Sequence, residues 1–417
     1  MPAPGAEPPP PKHDPFAALR EPNYTRFASG WIFSTMGARM QGVAVTWELY
    51  ERTHSQLALG YVGLSQALPV ILLALVGGHA ADVHDRRTLV IASQMAYFLC
   101  SLGLAAVSLW QGPVWVIYGC LVLSGAAKAF NSPARGALLP LLVPKETFHN
   151  AVTWNSSIFQ AAAIGGPVLA GLMLGVYHAA WPVCLLAAGG ALAFALSMTA
   201  VRPRAAQRMS EPRTLRTLFG GFAFLRQERT VLAAITLDLF AVLIGGATAL
   251  LPVFAKDILH VGPRELGFLN AAPYVGALIA AQVLAHIPGF KRAGPVLLWS
   301  VAGFGLATIG FGLSTNFWLS LALLALLGGL DGISVVVRHV LVQVRTPDSV
   351  RGRVAAVNSV FIESSNELGA YESGLVAHLW SPMVSVVSGG IGTLVVVAGI
   401  ALAFPALRRL GTLKEPD

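Results

Sequence analysis

The chain has 417 residues, of which 55% are hydrophobic and only 12% charged, with a formal net charge of +8 and a mean hydropathy of +0.66. Soluble domains carry roughly 25% charged residues, so this composition excludes an ordinary soluble protein of two or three domains.

In chain order, residues 1–22 open with "MPAPGAEPPPPKHDP". This stretch has neither an apolar core nor a small-residue cleavage site, and it reads as a disordered cytoplasmic tail. Twelve apolar runs follow, at 25–49, 57–79, 88–110, 114–136, 150–177, 180–200, 230–255, 264–287, 294–314, 317–340, 352–378 and 384–406. Each is long enough to cross a bilayer core of about 30 Å. Lipid offers backbone groups no water, so each run must satisfy its own hydrogen bonds as a helix. The fold class expected is an all-α polytopic membrane protein.

Lys and Arg set the orientation. With the N-terminus inside, the cytoplasmic segments hold 23 of the 28 cations, including Arg338. The opposite side holds Arg52, Lys256 and Arg264, while Arg39 and Lys128 lie within spans. This bias predicts both termini inside. It also makes the positive charge a topology signal that meets lipid headgroups, with no nucleic-acid partner. Cys100, Cys120 and Cys184 sit singly within spans, and no metal-ligand spacing occurs.

Shifted by 203 residues, the chain matches itself: Arg135 falls on Arg338, Gly166 on Gly369 and Gly171 on Gly374. At a shift of 207, "LGYVGLSQ" falls on "LGFLNAAP". The expectation is two pseudo-symmetric six-helix bundles, 23–201 and 229–406, joined by a connector at 202–228 and followed by a cytoplasmic tail at 407–417. Within the connector, "RTLRTLFGGFAFLRQER" alternates apolar and basic residues, as a segment lying on the membrane face would. A substrate site is expected between the halves near mid-depth.

Charges deep in the spans are Arg39 in the first, Lys128 in the fourth, Asp238 in the seventh, Asp331 in the tenth and glutamates in the eleventh. Such charges avoid lipid, so spans one, four, seven and ten are expected to surround a central cavity while three, six, nine and twelve face lipid, and the candidate cavity-lining residues are Arg39, Gln41, Lys128, Asn131, Ser359 and Asn366. Lys128 and Asp331 are repeat equivalents, placed either to pair across the cavity or to pair each within its own half. In the eleventh span, across "NSVFIESSNELGAYESG", Ser359, Glu363, Asn366 and Glu367 form one helical stripe, and Asn358, Ser365 and Glu372 another. Repulsion between Glu363 and Glu367, four residues apart, favours protonation of one. These two, with Asp238 and Asp331, are the proton-coupling candidates, the alternative being a structural hydrogen-bonding role. Glu372, nearer the helix end, reads as structural.

Between the second and third spans lies "GGHAADVHDRR", in which Gly78, Asp82, Arg86 and Arg87 resemble the cytoplasmic signature of the major facilitator superfamily. Val83 stands where that signature has a basic residue and Asp85 where it has glycine. With "FNSPARGALLPLLVP" and "TPDSVRGRV", the chain is similar to the transmembrane secretion effector branch, which includes siderophore exporters. The resemblance implies a major facilitator fold and a latch in which Asp82 faces the start of the eleventh span. Gly289 occupies the equivalent place in the second half, so one latch is implied. "IGGPVLAG", with Gly165, Gly166, Pro167 and Gly171, is similar to a helix-packing motif of exporters in the family.

The function expected is secondary active transport: proton-coupled export of a small organic solute, siderophore- or drug-like, by alternating access. The alternatives are a proton-coupled importer or facilitator, and a non-transporting membrane assembly or sensor protein. The expected setting is a bacterial-type inner membrane, with a proton gradient in place of any cofactor, a small-molecule substrate, surrounding lipid and a monomeric state. No nucleophile, metal set or phosphate-cradling loop suggests an enzyme.

Overall fold

The structure, a computed structural model, describes residues 14–204, 225–287, 290 and 292–411, with the side chains of 348, 349, 351–353, 355–357, 359, 360 and 363 outside the description. Among the described residues the chain forms twelve long helices and no strand. They are α1 (Pro22–Thr53), α2 (Gln56–Val83), α3 (Arg86–Leu109), α4 (Val114–Leu138), α5 (Phe148–Tyr177), α6 (Trp181–Thr199), α7 (Arg229–Ile244), α8 (Pro263–His286), α9 (Ala293–Leu313), α10 (Phe317–Arg345), α11 (Asp348–Leu379) and α12 (Pro382–Ala403).

Ten of these are long and apolar enough to span a membrane by composition, α7 being counted with its extension to Ile258. The two that are not, α1 and α11, are 32 residues each. Both carry several polar and charged side chains, which a helix screened from lipid on much of its surface can tolerate. Trp110, Trp115, Trp318 and Trp380 are exposed at the end of the bundle that carries the α1–α2 and α7–α8 turns, a girdle typical of a membrane interface. We call this the far end and the other, to which both termini belong, the terminal end.

Helix packing repeats between the halves. α2 packs on α4 as α8 does on α10, α3 on α6 as α9 on α12, and α1 on α5 as α7 on α11. The two halves meet along two seams, α2 with α11 and α5 with α8. Glycine sets the closeness of each. A Cβ added to Gly374 would lie 2.7 Å from the Gly60 Cα, and one added to Gly171 would lie 2.9 Å from the Gly267 Cα. These pairs are repeat images: 171 maps to 374 at the 203 shift, and 60 to 267 at the 207 shift. Gly166 and Gly369 are matched in the same way, seating α5 against Met36 and Arg39 of α1, and α11 against Val242 and Leu243 of α7.

All four seam glycines lie four to six residues from the far-end tips of their helices, about 6–9 Å at the helical rise. Two polar contacts between the halves share this end. Lys256 Nζ lies 2.6 Å from Glu51 Oε1, and the Tyr50 hydroxyl donates to Asp257. Toward the terminal end, α4 and α10 make no extended contact. The structure is therefore closed at the far end.

Helix α7 departs from the single span expected at 230–255. It stops at Ile244, breaks at Gly245 and Gly246, and resumes in short turns through Ala247–Leu250 and Leu251–Val253 to a wide π-type turn at Phe254–Ile258. A Cβ on Gly246 would meet the Gly369 carbonyl at 2.7 Å, so the break is where α11 crowds in.

The tail expected to be disordered is partly ordered. Ala18 is buried, its N–H donates to Asn150 Oδ1 at 2.9 Å, and Trp154 Nε1 donates to the Pro15 carbonyl at 3.0 Å. An aromatic and an amide at the start of α5 give this stretch somewhere to dock. The C-terminal segment is likewise fastened: Leu407 is buried, and the carbonyls of Gly411 and Leu410 accept from the first amides of α9, groups that no intrahelical partner satisfies. Residues 1–13, most of the connector reading, and the tail beyond Gly411 lie outside the described residues, as does Gly289.

Candidate functional site

Three polar groups stand near mid-depth. The first lies inside the second half. Asp238 of α7 and Arg338 of α10 form an ion pair in which the side chains are 9% and 3% exposed. Asp331 and Ser334 precede Arg338 by seven and four residues on α10, which puts all three on one helix face. Asp238, Asp331 and Ser334 line a narrow void closed by Ala241, Val242, Val301 and Phe304. The Ser334 hydroxyl is buried without a hydrogen-bond partner among the described residues.

This corrects two expectations. Arg338 is not a cytoplasmic surface cation but a buried one, because it answers the Asp238 carboxylate. Asp238 and Asp331 face α9 within their own bundle rather than a central cavity. The sequence held the signal for this in the Asp331, Ser334, Arg338 spacing, with Arg338 fewer than two turns from a midspan acid.

Arg135, the repeat counterpart of Arg338, also reaches back toward the first helix of its half. Its guanidinium lies over the Trp31 ring at 4.6 Å, so an aromatic face in one half stands where a carboxylate stands in the other.

The second group joins the halves. Lys128 Nζ lies 4.0 Å from Glu367 Oε1, with side chains 37% and 25% exposed. Lys128 thus has a carboxylate neighbour on α11, across the seam between the halves. Asn366 is exposed beside this site, its amide donating to the Ile362 carbonyl at 2.7 Å. Ser359 and Glu363 lie outside the described side chains. In the other stripe of α11, Asn358 and Ser365 are buried and Glu372 is half-buried.

The third group is Arg39. Its Nη1 donates to the Tyr274 hydroxyl at 3.1 Å, and its guanidinium lies 4.9 Å from the Phe159 ring centre and 5.5 Å from that of Tyr274. Helices α1, α5 and α8 converge here, close together because Gly166 carries no side chain. No carboxylate lies within 4.0 Å of this guanidinium among the described residues. A charge at mid-depth costs about 2.5–3.5 kcal/mol on insertion scales, and cation–π contact offsets about 0.5–2 kcal/mol.

Asn131 is drawn into a contact within the first half. Asn131 Oδ1 lies 3.5 Å from Gln94 Nε2, and Gln94 Oε1 accepts from the Ser34 hydroxyl at 2.8 Å. Gln94 is buried. This chain ties α1, α3 and α4 together within the first half, and Gln94 on a span without charges gave no sequence signal. Gln41 follows Ser34 by seven residues and so shares its face; its Oε1 is buried without a partner among the described residues.

In the α2–α3 turn, the basic pair caps helices of its own half. Arg86 donates to the Ala137 carbonyl at the end of α4, and Arg87 to those of Met198 and Thr199 at the end of α6, where the helix dipole favours cations. Asp85, where the signature has glycine, accepts from the Arg87 amide as the N-cap of α3. Gly78 has open space around it, and Asp82 is half-buried. Gly165 faces Met36, and the Pro167 carbonyl abuts Gly267. The span-five motif thus contacts α1 with Gly165 and Gly166, and α8 with Pro167 and Gly171.

A family model described as "Transmembrane secretion effector" matches residues 13–414. The enterobactin exporter EntS of Shigella boydii serotype 18 is 26% identical over 381 residues, covering 91% of each chain, and that of Escherichia coli O1:K1 aligns with the same figures. Among solved structures, a D-xylose-proton symporter superposes with a TM-score of 0.72 at 13% identity, covering 94% of this chain and 99% of that one. A bacterial homologue of ferroportin in an inward-facing state gives 0.71 at 18% identity, with the same coverage. The fold is that of the major facilitators, and the chain is an integral membrane transporter of small molecules, not an enzyme. It belongs to the transmembrane secretion effector family of the major facilitator superfamily.

Proposed function

We propose that this transporter exports a small organic solute, siderophore- or drug-like, in exchange for protons, by rocking of its two halves in the inner membrane. Export is supported by the named function of its relatives. With both termini cytoplasmic, as the cation bias favours, closure at the far end makes this conformation inward-facing. The exposed apolar side chains around the bundle suit a monomer held in lipid.

The observation that carries proton coupling is the void shared by Asp238 and Asp331 beside a single guanidinium. Arg338 matches one carboxylate. The second carboxylate then gains and loses a proton as the bundle opens and closes, and Asp331 is that group. Glu367, with Glu363 one turn before it, is the second candidate, because a proton on Glu367 would release Lys128. Asp238 serves mainly to hold Arg338.

In proteoliposomes, an external acid pulse should drive loaded solute outward through an exchanger. Uptake of solute in response to that pulse would establish import. Replacing Asp331 with Asn should reduce gradient-driven flux at least 10-fold while solute exchange without a gradient persists. Undiminished gradient-driven flux would remove Asp331 from the proton path, and the Glu363→Gln, Glu367→Gln double variant tests the second candidate by the same assay.

For the latch, Asp82 at the terminal end of α2 faces the start of α11 when that end closes. Asp82→Asn should therefore shift spin-label distances across the terminal end toward the open population. Unchanged distance distributions would assign Asp82 a purely local role.

A further inference from the structure

Every other midspan charge whose described contacts include a charged partner has one of opposite sign: Asp238 has Arg338, and Lys128 has Glu367. Arg39 has none within reach among the described residues. It is also no surface arginine. It lies 17 residues from the start of α1 and 14 from its end, half-buried, at the junction of both halves. Phe159 stands 11 residues into α5 and Tyr274 11 residues into α8, so the whole cluster shares one depth.

Two aromatic rings and one hydroxyl fix the guanidinium in place without neutralising it. Tyr274 takes one of its five N–H donors, leaving the remaining donors for an incoming group. A planar, permanently charged fork with unmet donors matches an oxyanion best, and a carboxylate can engage it through two parallel hydrogen bonds. The geometry also excludes a cationic solute here, since it would meet an unscreened like charge in a low-dielectric site.

We propose that Arg39 is the anion-binding subsite of the transported solute, and that the solute is an organic acid presenting a carboxylate or phenolate to the guanidinium between Phe159 and Tyr274. This rests on the transport reading, but not on its direction or coupling. Because Tyr274 and Arg39 belong to different halves, an anion bound to Arg39 also touches the contact that joins them. The Phe159 ring, 38% exposed, provides an apolar face on which the body of the acid can rest.

The probe is salicylate, compared with its uncharged amide, salicylamide, bound to purified protein in nanodiscs and read by isothermal titration. Salicylate should bind at least 10-fold more tightly than the amide. Arg39→Gln should remove that preference, while Arg39→Lys, which keeps the charge, should retain at least half of it on a logarithmic scale. All three proteins are first required to be monodisperse with matching helical content. Equal affinity for acid and amide in the parent, or an unchanged preference in Arg39→Gln, overturns the proposal. Binding is measured without a gradient or flux, so failure of proton-driven export leaves it standing. Conversely, export of a neutral solute with unaltered kinetics in Arg39→Gln overturns this subsite and leaves export intact.

Discussion

Replacing Arg338 with Ala should destabilise the protein by about 3–5 kcal/mol, the usual cost of stranding one member of a buried ion pair. The effect should be large because the substitution leaves Asp238 and Asp331 facing one void without a cation. Asp238→Asn should cost less, about 1–3 kcal/mol, since Arg338 keeps a carboxylate on its own helix face. The double variant Asp238→Asn, Arg338→Met should recover most of the loss, as paired replacement of buried ions by apolar groups commonly does. Denaturant unfolding in mixed micelles, followed by far-UV circular dichroism, measures all three. Equal losses for the two single variants would mean that Asp331 does not share the guanidinium. The recovered double variant then separates stability from mechanism: if Arg338 sets the proton affinity of Asp331, it folds well but couples poorly.

The unexpected place of Arg338 shows where sequence reasoning reaches its limit. Hydropathy and cation counting treat a residue near a span end as belonging to the side it is closest to, and Arg338 lies seven residues before the end of α10. Its side chain turns inward instead, because pairing with Asp238 outweighs the pull of the interface. By contrast, the repeat was legible, since glycines needed for close helix approach cannot drift without a clash. Gly166, Gly171, Gly369 and Gly374 were matched in sequence and occupy matched contacts. The acids on α7, α10 and α11 were legible as unusual, but their partners were not. Pairing across helices depends on rotation about each helix axis, which periodicity gives for α11 alone. Nor did hydropathy anticipate the break in α7, for Gly245 and Gly246 are ordinary residues of an apolar run until Phe304 of α9 and Thr393 of α12 are set against the first and α11 against the second.

The largest expected functional effect lies at those seam glycines. Gly171→Leu combined with Gly374→Leu should abolish transport while leaving each half folded. A side chain at Gly374 meets the Gly60 Cα and Gln56 carbonyl, and one at Gly171 meets the Gly267 Cα and Pro263 carbonyl. Each of these contacts is made by backbone, which cannot swing aside. Overpacking costs about 1–3 kcal/mol per site, and that cost falls on the conformation closed at the far end, where the seams are tight. Two sites should therefore shift the conformational balance by about 2–6 kcal/mol, and every 1.4 kcal/mol is tenfold. Electron–electron resonance between labels on the α1–α2 and α7–α8 turns should show the far-end distance lengthened in the double variant. Gly189→Leu, at an α6 position with open space around it, is the control and should leave both distance and flux unchanged. Retained transport in the double variant would mean that the seams open and close elsewhere along α2 and α11. Loss of transport with the far-end distance unaltered would instead place the damage within a half. The lengthened distance is the result that ties the two glycine pairs to closure, and their exact repeat relation predicts that Gly60→Leu with Gly267→Leu produces the same shift.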